Sequence, residues 1–193
     1  MTGDTQAAKR TRRAPKPIDA ARLEELALAY VARFATSAAK LEGYLARKLR
    51  ERGWAGEGDP PVARLVARYV ELGYVDDAAF ARARAGSLLR RGYGPRRIGQ
   101  ALGQAGIDED TRADVRPDEG EKRLAALTLA RKRGFGPFGR KEDAERPIDR
   151  DRRERQLAAM LRAGHTLDTA REIVDALSQD AAEQWVAEAQ EEH

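Results

Sequence analysis

The chain has 193 residues, of which 35% are charged and only 6% are aromatic, and it contains no cysteine. The lack of cysteine excludes disulfides and thiolate metal sites. No stretch approaches about 18 uncharged apolar residues, and the basic N-terminus has no apolar core, so we expect a cytoplasmic protein without signal peptide or membrane span. Abundant alanine, leucine and arginine, with few valines and isoleucines, favour helix over strand.

The net charge is +4, and the positive charge is concentrated in two segments. Residues 1–17 hold five lysines and arginines against one aspartate, and residues 78–107 hold six arginines and no acid. Both segments are therefore candidates for binding a polyanion. High-GC codon usage is the alternative explanation for the arginine excess as a whole, although it does not explain the absence of acids from 78 to 107.

Residues 1–17 are predicted to form a disordered basic arm, and helices follow one another from Asp19 onward. Each helix has apolar residues on one face and capping residues at its ends. The predicted helix limits, in chain order, are Asp19 to Phe34, Ser37 to Gly53, Asp59 to Gly73, Asp76 or Asp77 to Gly92, Gly94 to Gly106, Asp108 to Val115, Asp118 to Gly134, about 151 to Gly164, and Thr166 to Leu177. No segment alternates with a period of two residues, so no strand is predicted.

An internal repeat divides the helices into units. The sequence RGYGP at 91–95 recurs as RGFGP at 133–137, each time after a helix with an arginine-rich end. One such unit has too little apolar surface to be stable alone, so stacking must supply the core. The alternative is that a helix cap followed by proline recurs by chance. We predict an arm (1–17), three helical repeats (18–76, 77–117 and 118–178, the last with a loop at 135–150) and a polar C-terminal tail (179–193) that includes a helix around Trp185.

Residues suited to catalysis are scarce. The two histidines, His165 and His193, are far apart in the sequence, and no phosphate-binding glycine loop ends in lysine. Acids cluster at 76–77 and 108–110, where they are expected to cap helices rather than bind Mg²⁺. We therefore predict no catalytic, cofactor or metal site, and we do not expect an enzyme.

The arginines around the first RGYGP turn form the best candidate binding site. Guanidinium groups pair well with carboxylates or phosphates, and the helix that starts at Gly94-Pro95 would direct an N-terminus toward an anion. Tyr93 could stack on a base or pack between repeats, and a solvated arginine surface is the alternative for the whole set. The candidate partner-binding residues are Arg82, Arg84, Arg90, Arg91, Tyr93, Arg96 and Arg97, with Arg131, Lys132 and Arg133 at the second occurrence of the motif.

Three segments carry a specific combination of motifs, LVARYVELGYVDDAAFA at 65–81, RRGYGPRRI at 90–98 and GID at 106–108. Together they resemble the RecX family of bacterial regulators, and LAAMLRAGH at 157–165 is similar to the family's third repeat. The resemblance implies an elongated right-handed array of three three-helix repeats. It also implies binding to RecA filaments on single-stranded DNA, with inhibition of ATP hydrolysis, strand exchange and co-protease activity.

Two functional hypotheses follow from the sequence. The first is a monomeric, non-catalytic modulator of RecA filaments, whose basic patch meets either DNA phosphates or an acidic RecA surface. The second is a protein that binds nucleic acid on its own. A nearly neutral body outside the two basic segments argues against strong autonomous binding of DNA.

Overall fold

The computed structural model describes residues 16–139 and 149–191, which form ten α-helices joined by short connections. The prediction of an all-α array of tandem three-helix repeats is confirmed, because the described residues contain no strand beyond one isolated bridge between Ile18 and Trp54. Most of the predicted arm and residues 140–148 of the predicted loop lie outside the described residues. The helices are α1 (Ala20–Val31), α2 (Ala38–Arg52), α3 (Val62–Glu71), α4 (Asp77–Arg90), α5 (Pro95–Gly103), α6 (Glu109–Asp114), α7 (Glu119–Arg133), α8 (Arg150–Arg162), α9 (Leu167–Val174) and α10 (Gln179–Glu191), with a 3₁₀ turn at Gly136–Phe138 between α7 and α8.

Most predicted helix starts are true N-caps, in which the side chain accepts a hydrogen bond from a backbone N–H one turn later. These caps are Asp19, Ser37, Asp76, Asp108, Asp118 and Thr166. The prediction that Asp59 caps α3 is wrong, because α3 is preceded by Pro61 and has no side-chain cap. Pro60 and Pro61 have no N–H to donate, and the next one, on Val62, donates to the carbonyl of Pro60 at 2.8 Å.

Three separate clusters of buried apolar side chains form the core, one in each unit of the array. The first lies among α1 to α3, the second among α4 to α6, and the third among α7 to α10. Tyr93 packs against both the second and the third cluster, so this side chain lies where those two units meet. The apolar core of the described residues therefore lies mainly within the units, contrary to the expectation that stacking supplies it.

The first two units are joined at the N-terminus of α2. The hydroxyl of Ser37 donates to the carbonyl of Ala105 at 2.5 Å, just beyond the end of α5. The backbone N–H of Ala38 donates to the carboxylate of Asp77 at 2.8 Å. Gly106 lies against the side chain of Ala39, where a Cβ on the glycine would overlap with it. The N-terminus of α2 therefore meets the C-terminal end of α5.

The second and third units are joined in the same way, at the N-terminus of α5. The backbone N–H of Gly94 donates to Ala163 O at 2.9 Å, and that of Arg96 donates to Gly164 O at 3.2 Å. Both carbonyls follow the last residue of α8, so the C-terminal end of α8 meets the N-terminus of α5. At both junctions, the N-terminus of a unit's second helix contacts the C-terminal end of the next unit's second helix: α2 contacts α5, and α5 contacts α8. These contacts provide hydrogen-bond partners for groups that helix ends leave unpaired.

The segment predicted as a polar tail is packed over most of its length. Helix α10 buries Ala182, Val186 and Ala189 against the third unit. Arg123 of α7 donates to the backbone carbonyl of Trp185 at 2.8 Å, and the Arg123 guanidinium lies 4.4 Å from the centre of the Trp185 indole ring. Helix α10 is thus a fourth helix of the third unit. Within residues 16–139 and 149–191, no helix has both the length and the apolar character needed to cross a membrane.

Candidate partner-binding surface

The nine predicted basic side chains are all exposed, whereas Tyr93 is half-buried. Arg131 forms an ion pair with Glu183 at 2.6 Å. In the part of the chain that the structure describes, the other eight make no ion pair: they are Arg82, Arg84, Arg90, Arg91, Arg96, Arg97, Lys132 and Arg133. These eight charges are therefore available to a partner.

Acids from elsewhere in the sequence approach part of this set. Arg82 lines a shallow hollow together with Asp114 and Glu121, and Arg96 lines another that contains Glu109. Residues 78–107 contain no acid in the sequence, but acids do lie near them in the folded structure, because α6 and the start of α7 pack beside α4 and α5. Neither arginine is ion-paired with these acids, and Glu109 pairs instead with Arg112 and Arg116.

A cleft between the second and third units brings other members of the set together. It has a volume of about 210 Å³, and no acid among the described residues lines it. Its basic residues come from three separate stretches of the sequence, which the stacking of the units makes adjacent. The lining residues are Arg91, Tyr93, Leu129, Lys132, Arg133, Phe135, Ala159, Arg162 and Ala163.

Two aromatic or basic residues of this cleft, Phe135 and Arg162, were not among the predicted partner-binding residues. Phe135 occupies the same place in the second RGFGP motif as Tyr93 does in the first, so the repeat itself contained the signal. Arg162 is exposed in the last turn of α8, where a basic residue is common for reasons of helix stability alone. Only the tertiary junction shows that Arg162 faces the same cleft.

The predicted anion site at the N-terminus of α5 is wrong. The N–H groups of Gly94 and Arg96 donate to carbonyls of the next unit, and the N–H of Arg97 donates to Gly94 O at 3.1 Å. A helix N-terminus binds an anion through free N–H groups, and here the junction occupies them. The binding capacity of this region therefore belongs to side chains.

His165 is completely buried at the same junction, beside the turn that ends α4. Its Nε2 lies 3.0 Å from the carbonyl oxygen of Gly92, so the neutral ring must carry its proton on Nε2 and donate it. Its Nδ1 is buried and has no hydrogen-bond partner among the described residues. Burial lowers the pKa of His165 below its ordinary value of 6.5, and the bond to Gly92 opposes this shift only in part. This histidine is a structural element of the junction.

We predict that His165 makes the stability of the protein sensitive to mild acid. Because its pKa is lower in the folded chain, the unfolded chain takes up a proton below about pH 6.5 that the folded chain does not. The free energy of unfolding should then decrease as the pH is lowered below about 6.5, by up to about 1.4 kcal/mol per pH unit. Urea unfolding between pH 7.5 and 5 would measure this slope in the parent and in His165→Gln, which should have a shallower slope. His193→Gln, which removes the only other histidine, is the control and should behave as the parent does.

Catalytic chemistry has few candidates in this structure. His165 is the one histidine in the described ranges, and it is buried in the junction. Nowhere in those ranges do three or more histidine or carboxylate side chains come close enough together to hold a metal ion.

Comparison with known proteins identifies the group to which this fold and surface belong. A model of the second three-helix domain of RecX matches residues 76–115, which include the first RGYGP turn. The regulatory protein RecX of Myxococcus xanthus (strain DK1622) is 32% identical over 169 residues, which cover 83% of this chain and 88% of that protein. This chain belongs to the RecX family. The regulatory protein RecX of Mycobacterium sp. (strain KMS) is 34% identical over 166 residues, covering 83% of this chain and 86% of that relative.

The fold of a solved RecX structure agrees with this assignment. The crystal structure of RecX from Lactobacillus salivarius superposes with a TM-score of 0.62 at 18% identity, over 82% of this chain and 96% of the other. At that level of identity the likeness concerns the fold alone. Among the predicted partner-binding residues, those from Arg82 to Arg97 lie inside the matched second RecX domain, whereas Arg131, Lys132 and Arg133 lie beyond it.

Proposed function

We propose that this member of the RecX family is a non-catalytic, monomeric, cytoplasmic regulator that binds RecA filaments on single-stranded DNA. Binding would inhibit or modulate the ATPase, strand-exchange and co-protease activities of the filament. The observation that carries this proposal is the relation to regulatory RecX proteins over more than four fifths of the chain. The exposed basic side chains, which lie on two successive units of the array, support it.

The mechanism follows from the shape of the surface. A stack of units presents its side chains in series, which suits a partner that is itself a polymer. A non-catalytic protein lowers the ATPase rate of such a partner by binding one filament conformation, or one arrangement of subunits, better than another. The exposed arginines and lysines supply the attraction, either to phosphates of the DNA or to acidic residues of RecA.

The test is a pull-down of RecA on the immobilised protein, with and without single-stranded DNA. We expect RecA to be retained most strongly when single-stranded DNA and ATP allow filaments to form. The alternative, autonomous binding of nucleic acid, is supported by the cleft, whose described lining contains no acid. It predicts that DNA is retained equally well without RecA, that no RecA is recovered, and that retention falls steeply as salt rises. That result would contradict the proposed function.

A further inference from the structure

Three helices end at the cleft between the second and third units, and each brings basic residues to it. Arg91 immediately follows α4, Lys132 and Arg133 are in the last turn of α7, and Arg162 is in the last turn of α8. All four side chains are exposed. The cleft therefore collects four positive charges and no negative charge from the described residues that line it.

Helix stability explains why each of these basic residues is favourable at its own helix end, but it does not explain why the four lie together. A basic residue in the last turn of a helix offsets the negative end of the helix dipole. That effect does not require three helix ends to lie together. It also does not explain why no acid is found among the described residues that line the cleft. Among the described residues, Arg131 has Glu183 beside it, Arg153 has Asp175 and Arg112 has Glu109, whereas no carboxylate pairs with the four cations of the cleft. The unpaired charges of the cleft repel one another, and an anionic ligand would relieve that repulsion.

The remaining lining of the cleft is aromatic and apolar. Tyr93 and Phe135 are both half-buried, and the guanidinium of Arg91 lies 5.3 Å from the centre of the Tyr93 ring. Leu129, Ala159 and Ala163 complete the wall. An acidic peptide would need only the cations, whereas a nucleotide uses both features: its phosphate pairs with cations, and its base stacks on rings or guanidinium planes.

We propose that this cleft binds a nucleotide of single-stranded DNA directly. A backbone phosphate lies among Arg91, Lys132, Arg133 and Arg162, and the adjoining base lies against the exposed parts of Tyr93 and Phe135. The inference rests on the proposed function and makes it specific, because it assigns the DNA of the filament, and not RecA, to this part of the surface. A duplex keeps its bases stacked inside, so the cleft prefers single strands.

The test measures binding of a fluorescein-labelled oligothymidylate by anisotropy, in the absence of RecA. The cleft variant is Arg133→Glu with Arg162→Glu. Its matched control is Arg50→Glu with Arg64→Glu, two exposed arginines of the first unit, which changes the net charge by the same amount. We expect the cleft variant to bind about tenfold more weakly or worse, and the control to stay within about twofold of the parent. The dependence of log Kd on log salt should become shallower by about 1.4 in the cleft variant only, as expected for two lost phosphate contacts on a single strand.

A second probe separates the base from the phosphate. An abasic oligomer of equal length keeps the phosphates but offers nothing to stack, so the parent should bind it several-fold more weakly than oligothymidylate. Equal affinity of the parent for the two oligomers would overturn the assignment of a base to Tyr93 and Phe135. Arg133→Gln with Arg162→Gln provides the milder change if the glutamate pair melts early, and it should weaken oligothymidylate binding as well.

The outcomes distinguish this inference from the proposed function. If the cleft variant binds oligothymidylate as tightly as its control, the inference is overturned. If that variant also fails to inhibit RecA, the cleft faces RecA and the proposed function stands. If the parent binds oligothymidylate but does not associate with RecA filaments, the proposed function fails while the cleft remains a site for nucleic acid.

Discussion

Replacing Gly164 with alanine is expected to lower the free energy of unfolding by about 3 kcal/mol or more. Gly164 has a φ of 97°, and a Cβ there would lie 2.4 Å from the backbone nitrogen of Arg97. The added methyl group therefore adds left-handed strain and pushes α5 away from the end of α8. That movement breaks the bonds from Gly94 N to Ala163 O and from Arg96 N to Gly164 O. Urea unfolding followed by circular dichroism measures the loss.

Two other glycines provide controls for this substitution. Gly73 has a φ of 73°, and no atom lies near the position that a Cβ would take. Gly73→Ala therefore measures only the cost of a left-handed backbone conformation for alanine, which is about 1–2 kcal/mol. Gly99 lies inside α5 with equally open space, and alanine there should stabilise the protein by about 0.5–1 kcal/mol. If Gly164→Ala costs no more than Gly73→Ala, the junction contributes less than its geometry indicates.

The double reversal Arg96→Glu with Arg97→Glu is expected to abolish inhibition of the DNA-dependent ATPase of RecA. Both side chains are exposed and unpaired in the described part of the chain, and both lie in the first turn of α5, where glutamate is compatible with the helix dipole. A single exposed charge contributes little, so the two are changed together. The reversal turns an attraction for an anionic partner into a repulsion, which is why complete loss is expected rather than partial loss.

The same control as for the cleft, Arg50→Glu with Arg64→Glu, corrects for the change in net charge and should inhibit RecA as the parent does. Thermal unfolding must show that both variants remain folded. A folded Arg96→Glu, Arg97→Glu protein that inhibits as well as the parent would contradict this assignment. The binding surface would then have to be sought at Arg131, Lys132 and Arg133.

The features that could be predicted from the sequence are those determined within one turn of helix. Gly92 and Gly134 were predicted to end helices, and their positive φ values of 85° and 65° are typical of glycines at such ends. Ser37 and Asp118 likewise cap the helices they were expected to cap. Each of these signals depends on a side chain or glycine acting on its own neighbours, so no knowledge of the tertiary structure is needed.

The features that sequence reasoning missed depend on contacts between units. Nothing near Gly94 indicates that carbonyls some 70 residues away occupy the N–H groups of its helix. Nothing in the sequence near Arg82 indicates that Glu121 lies beside it. Arg162 can be recognised as a candidate binding residue only from the cleft that it lines. Charge counted along the sequence is thus a poor guide to charge in space, even in a protein whose helices are easily predicted.

The junctions between units also bear on the order in which this chain folds. The bond from Ser37 to Ala105 closes 68 residues, and the one from His165 to Gly92 closes 73, whereas the bond from Tyr69 to Glu24 inside the first unit closes 45. Inside the third unit the bond from Arg123 to Trp185 closes 62, so the difference is clear for the first unit and small for the third. Closing a long loop costs entropy before its contacts form, so local units are expected to form first and to dock late. Substitutions at Gly94 or Gly164 would then mainly speed unfolding and leave the folding rate nearly unchanged. The two junctions would therefore determine how long the folded array lasts rather than how fast it forms.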